Sequence, residues 1–175
     1  MNNNFTNDLN YSFEDQEFWK EVYKIFFPNM VGMHSHNEYG NHQLNGIDRS
    51  ITLLNGKTIL LDEKSRRIED TGDIMLEYVS NNNYNSPSWC EKELLCDYIV
   101  YAFIPSKKAY LLPTAQLQQV WKKNKEVWLD IYGRKKVKND SYETLCCPVK
   151  TETIYQAISD LHKVKIQNKI LDLFE

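Results

Sequence analysis

Asp48, Asp62 and Lys64 fall within one stretch, GIDRSITLLNGKTILLDEKSR over residues 46–66, and have the composition of a phosphodiester-hydrolysing site. Two aspartates meet the needs of magnesium, a hard cation that takes oxygen ligands, keeps several waters and asks for one or two carboxylates beside a substrate phosphate. Such a metal polarises the phosphoryl oxygen and acidifies a coordinated water. An ammonium close by can orient that water or offset charge developing on the phosphate, the role that suits Lys64.

These side chains meet only if the chain folds back on itself between them. Residues 47–54 and 57–64 are two runs rich in Ile, Leu and Thr, separated by Asn55-Gly56, a strong hairpin signal. Strand alternation puts Thr58, Leu60, Asp62 and Lys64 on one face and Ile59, Leu61 and Glu63 on the other. Register decides where Asp48 goes, because a slip of one residue moves every side chain to the opposite face. A two-residue Asn-Gly loop pairs Asp48 with Glu63, makes those two the metal pair and turns Lys64 away. A three-residue loop, Leu54-Asn55-Gly56 with Gly56 left-handed, pairs Asp48 with Asp62 on the face of Lys64. The chemistry favours the longer loop.

The arrangement resembles the PD-(D/E)xK nuclease superfamily, whose core places an aspartate at the start of one strand and an acid-x-lysine motif on the next. Asp48, Asp62 and Lys64 are the matching positions, within roughly residues 12–112; Ile47 stands where many members have proline. The resemblance implies a magnesium- or manganese-dependent nuclease acting on DNA. A helix before the hairpin often supplies another acid in that superfamily, and here EDQEFWKEVYKIFF offers Glu14, Glu17 and Glu21, of which Glu17 and Glu21 lie one turn apart. Gln43, leading into the first catalytic strand together with Glu38, is placed to hydrogen-bond substrate or water. His34, His36 and His42 stand in a polar segment just upstream, read as an exposed loop whose rings could bind a transition metal or meet a substrate phosphate.

The surrounding pattern is that of an α/β or α+β protein with a central mixed sheet, the hairpin within it and helices flanking it. Residues 1–11 are Asn-rich and expected to be loose, and residues 12–175 to form a single domain. Phe13, Phe18, Val22, Ile25 and Phe26 have helical spacing ahead of Pro28. Strands are expected at 73–79, 98–104 and 108–112, then a helix with Thr114 as N-cap and a last helix over 152–174.

Composition narrows the function classes. No apolar run approaches the length of a membrane span and no secretory leader opens the chain, so a soluble, cytoplasmic protein is expected. The asparagine content and small size suit a phage or mobile element in a bacterial host. Cys90, Cys96 and the adjacent Cys146 and Cys147 match no familiar zinc spacing and read as buried free thiols. A net charge of −3 argues against a protein that coats polyanions along its length. Local cations remain: Arg49, Arg66 and Arg67 flank the hairpin strands, and Arg134, Lys135 and Lys136 form the better nucleic-acid candidate of a basic segment in which Trp121 and Trp128 read as core. Trp89 and Lys92 are further candidates for substrate contact. A symmetric double-strand cut would require a homodimer. The alternative is the same fold without catalysis, a nucleic-acid- or protein-binding module such as an inhibitor of a host enzyme.

Overall fold

The computed structural model describes residues 15–36 and 45–171, the last helix from residue 162 by its backbone alone. The chain forms two compact units. The first comprises residues up to Asp70 together with Leu95–Leu112, the second Thr71–Leu94 and the chain from Pro113 onward.

The first unit has helix α1 (Gln16–Phe26) and strands β1 (Met30–Ser35), β2 (Arg49–Leu53), β3 (Thr58–Arg66), β6 (Tyr98–Phe103) and β7 (Lys108–Pro113). They make a mixed sheet in the order β1-β2-β3-β6-β7, with β1, β2 and β3 antiparallel and β3 parallel to β6. Asp97, just before β6, ties the parallel pair at its start: its Oδ2 accepts from the Leu60 N–H at 2.8 Å and its own N–H donates to the Leu60 carbonyl. Helix α1 packs Trp19, Val22 and Tyr23 on the sheet face that carries Ile51, Ile59, Leu61, Val100 and Ala102. Those positions recur at three and four residues on the helix and at two on the strands, so each element buries one side. Glu17 and Lys24 sit at the helix ends that favour their charges.

The second unit has β4 (Asp73–Asn81), β5 (Ser86–Pro87), β8 (Lys135–Lys138), β9 (Glu143–Lys150), α2 (Thr114–Tyr132) and α3 (Thr151–Leu171). Its four-stranded antiparallel sheet runs β5-β4-β9-β8. Trp121 and Trp128 are buried, with Trp121 stacked on Tyr78 at 5.6 Å, as their seven-residue spacing on one helix face predicts. All four cysteines are buried, and none is in a disulfide. Among the described residues no helix is long and apolar enough to cross a membrane.

The α+β class and the mixed sheet agree with expectation; several elements do not. His34 lies in strand β1, not in a loop, because Met30–Ser35, which carries Met30, Val31 and Met33 ahead of it, finds a partner in β2. Strands β8 and β9 were not expected, and Thr114 is the first helical residue rather than the cap, the N-cap position being Pro113 with no side-chain cap bond.

Candidate active site

The hairpin adopts the longer loop. Arg49 faces Leu61, Ser50 faces Leu60 and Ile51 faces Ile59, and the Leu53 N–H donates to the Lys57 carbonyl across the turn. Gly56 takes φ 81°, the left-handed region that glycine enters without a Cβ penalty. This register directs Asp48 toward Asp62. At the mouth of β2 the Asp48 N–H donates to the Leu61 carbonyl at 2.9 Å, and its Oδ2 accepts from the Glu63 N–H at 2.8 Å. Its carboxylate is thereby pinned across β3.

Asp62 is 2% exposed. Its Oδ1 accepts from Lys64 Nζ at 2.6 Å, while Oδ2 is buried without a hydrogen-bond partner among the described residues. Burial, with the negative charge of the Asp48 carboxylate nearby, pushes the Asp62 carboxyl up to about 7; the Lys64 ammonium opposes this and does not overcome it. An orphaned carboxylate oxygen beside a second carboxylate is a place where a cation would relieve both desolvation and repulsion. Among the described residues no group of three or more His, Cys, Asp or Glu is arranged around a metal position. A donor set of two carboxylates fits magnesium, which keeps waters in its remaining positions, better than a metal that seeks a full protein cage.

The other face of the same strands carries a second buried polar group. Glu63 accepts from Arg49 Nε at 2.5 Å and from the Tyr23 hydroxyl at 2.5 Å, and the Arg49 guanidinium lies 5.6 Å from the Tyr23 ring centre. Burial and the neighbouring Glu63 charge push the Tyr23 hydroxyl well above the usual phenol range. Two sequence expectations are corrected by this. Glu63 is turned toward α1 and satisfied there, away from Asp62. Arg49, 5% exposed, is bound to Glu63 and does not present its charge to a nucleic-acid backbone.

Glu17 and Glu21 do not reach the carboxylate pair either. They stand on the side of α1 opposite Trp19, Val22 and Tyr23, paired with Lys20 at 3.7 Å and Lys24 at 2.6 Å, and α1 itself covers the Glu63 face. Gln43, Glu38, His42 and Glu14 lie outside the described residues. Arg66 follows Asp62 and Lys64 on the same face and donates to the Tyr101 hydroxyl at 3.2 Å. Arg67 is turned to Asp15 at the start of α1, 2.6 Å away. Arg134, Lys135 and Lys136 are exposed in the second unit, the lysines on edge strand β8, with Lys136 paired to Glu143 at 2.9 Å. There too Trp89 is buried, and its carbonyl and that of Lys92 accept from Gln118 Nε2. Tyr23, Ser50 and Tyr101 had no sequence signal of their own; each is recognisable only once the register is known.

No family model and no curated protein matches the chain. Among solved structures it is similar to one described as the structure of D212, a nuclease from a fusselovirus, at 11% identity over 94% of this chain and 97% of that one, with a TM-score of 0.38.

Proposed function

We infer that the first unit is a magnesium- or manganese-dependent phosphodiester hydrolase acting on nucleic acid, with DNA as the substrate. The observation that carries this reading is the buried, unpartnered Oδ2 of Asp62 set against the Asp48 carboxylate, with Lys64 on the same face. Asp48 and Asp62 are the residues that would hold the metal, which when bound supplies Lewis-acid polarisation of the phosphate and a more acidic water. Asp48 is held for this by the Glu63 N–H. Asp62 must be ionised to serve, and Lys64 favours that state. Lys64 Nζ, drawn to Asp62 Oδ1 in the free protein, is positioned to orient water or offset charge on the phosphate oxygens. Arg66, further along the file, supplies a cation for the substrate backbone.

The test is cleavage of linear, circular, single-stranded and branched DNA with magnesium or manganese, alongside Lys64→Ala and Asp62→Asn. Metal-dependent cutting by the natural protein is expected, with a loss of about a hundredfold or more in each variant. Cutting that persists undiminished in Lys64→Ala and Asp62→Asn would refute the assignment. Binding of DNA without cutting of any form would favour the non-catalytic module.

A further inference from the structure

We propose that His34 and His36 form a subsite for the phosphate adjoining the scissile one, so that the substrate is a polynucleotide strand lying across β1, β2 and β3 rather than an isolated phosphodiester. The inference rests on the hydrolase reading of the Asp48, Asp62 and Lys64 face and deepens it. Its basis is register. Ser35 faces Arg49 and His34 faces Ser50, and the ladder continues one step further where the His36 N–H donates to the Asp48 carbonyl at 2.8 Å. Arg49 and Ile51 point to the α1 side, so by alternation Ser50 and Asp48 point to the other, and His34 and His36 with them. The row His36, Asp48, Asp62 therefore crosses three neighbouring strands on one sheet face, at about 4.8 Å per strand.

The two rings are arranged rather than scattered. They meet edge to face with centroids 4.8 Å apart, and His36 Nε2 lies 3.1 Å from Ser50 Oγ. His34 is exposed and His36 half-buried, on an edge strand whose other residues on that face do not build a core around them. The exposed His34 ring is held edge to face against His36, and an imidazole N–H suits a phosphate oxygen. A third metal ligand is the competing role, but no three-residue metal group is present among the described residues. The hydrogen-bond donors of the face then lie on both sides of the carboxylate pair: the histidines toward β1, Lys64 and Arg66 along β3. A strand of nucleic acid crossing there meets a donor before and after the reacting phosphate.

The experiment compares His34→Ala and the double variant His34→Ala/His36→Ala with the natural protein on two substrates, a single-stranded oligonucleotide and bis(p-nitrophenyl) phosphate, which has one phosphodiester and no neighbouring phosphate. The expected result is a rise of about tenfold in oligonucleotide KM with kcat little changed, and unchanged turnover of the small diester. Oligonucleotide affinity measured by fluorescence anisotropy with calcium in place of magnesium falls by the same factor. Equal losses on both substrates would place the histidines at the reacting centre and overturn the subsite, as would no loss on either. His34→Ala, at an exposed edge position, keeps the comparison open should the double variant fail to fold. If the natural protein neither cleaves nor binds the oligonucleotide, the hydrolase reading itself fails, an outcome distinct from a correct enzyme whose histidines contribute nothing.

Discussion

Asp62 is the residue where the fold works against itself. Its carboxyl is raised from 3.8 to about 7, chiefly by burial, so the folded chain keeps a proton that the unfolded chain has already released. Stability therefore falls as pH rises from about 4 to about 7 and is level above that, the opposite of the slope produced by a salt-bridged aspartate. Asp62→Asn removes the effect. Without metal it should be more stable than the natural protein above pH 7, by on the order of a few kcal/mol, and nearly equal at pH 4, as read from thermal melts across pH. Magnesium should raise the melting temperature of the natural protein at pH 8 and do so much less for Asp62→Asn. Metal-dependent activity should rise with pH up to neutrality, since the ionised carboxylate is the form that binds. The sharing of one face by Asp62 and Lys64 was legible from alternation alone. The capture of Arg49 by Glu63 was not, because it depends on which sheet face a helix comes to cover.

At the scale of elements, the β2–β3 hairpin determines whether the site exists. Its three-residue loop was legible from the chemistry that register had to satisfy, and Gly56 at φ 81° is the residue that permits it. Gly56→Ala should cost about 1 kcal/mol in chemical denaturation, through backbone strain alone, since open space surrounds the position of a Cβ. The Arg49–Glu63–Tyr23 group clasps the same two strands from behind. Removing one partner, as in Arg49→Met, leaves a buried charge and should destabilise by about 3 to 5 kcal/mol; Arg49→Met combined with Glu63→Leu should recover most of that loss. A double-mutant cycle measures the coupling. Strands β1, β8 and β9 were hidden for different reasons. His34 at the end of β1, with His36 just beyond it, and the lysines of β8 imitate solvated loops, because both strands lie at sheet edges where one side meets water. Strand β9 was concealed by Pro148 and by two adjacent cysteines that interrupt a simple alternation.

For the whole molecule, a net charge of −3 means that the nucleic-acid affinity the proposal requires would have to come from local cations. Arg134, Lys135 and Lys136, exposed on and beside the edge of the second sheet, are the densest such group in that unit. Their joint replacement by alanine should weaken DNA binding similarly for all sequences and flatten the dependence of affinity on salt by up to about two to three in logarithmic slope, which a titration at several ionic strengths would read.

The chain leaves the first unit after β3, builds β4 and β5 in the second, returns for β6 and β7, and departs again. Neither unit is a continuous stretch of polypeptide. As the protein emerges from a ribosome, β3 must wait for residues 98–103 before its parallel neighbour exists, and β4 must wait for residues 143–150 before it is paired on its β9 side. A truncation after β7 would strand β4 and β5 without their sheet, and a gene fragment encoding the hairpin alone would lack β6. The catalytic candidate cannot be cut out as a cassette, exchanged by simple recombination, or completed before residues 98–103 have been made.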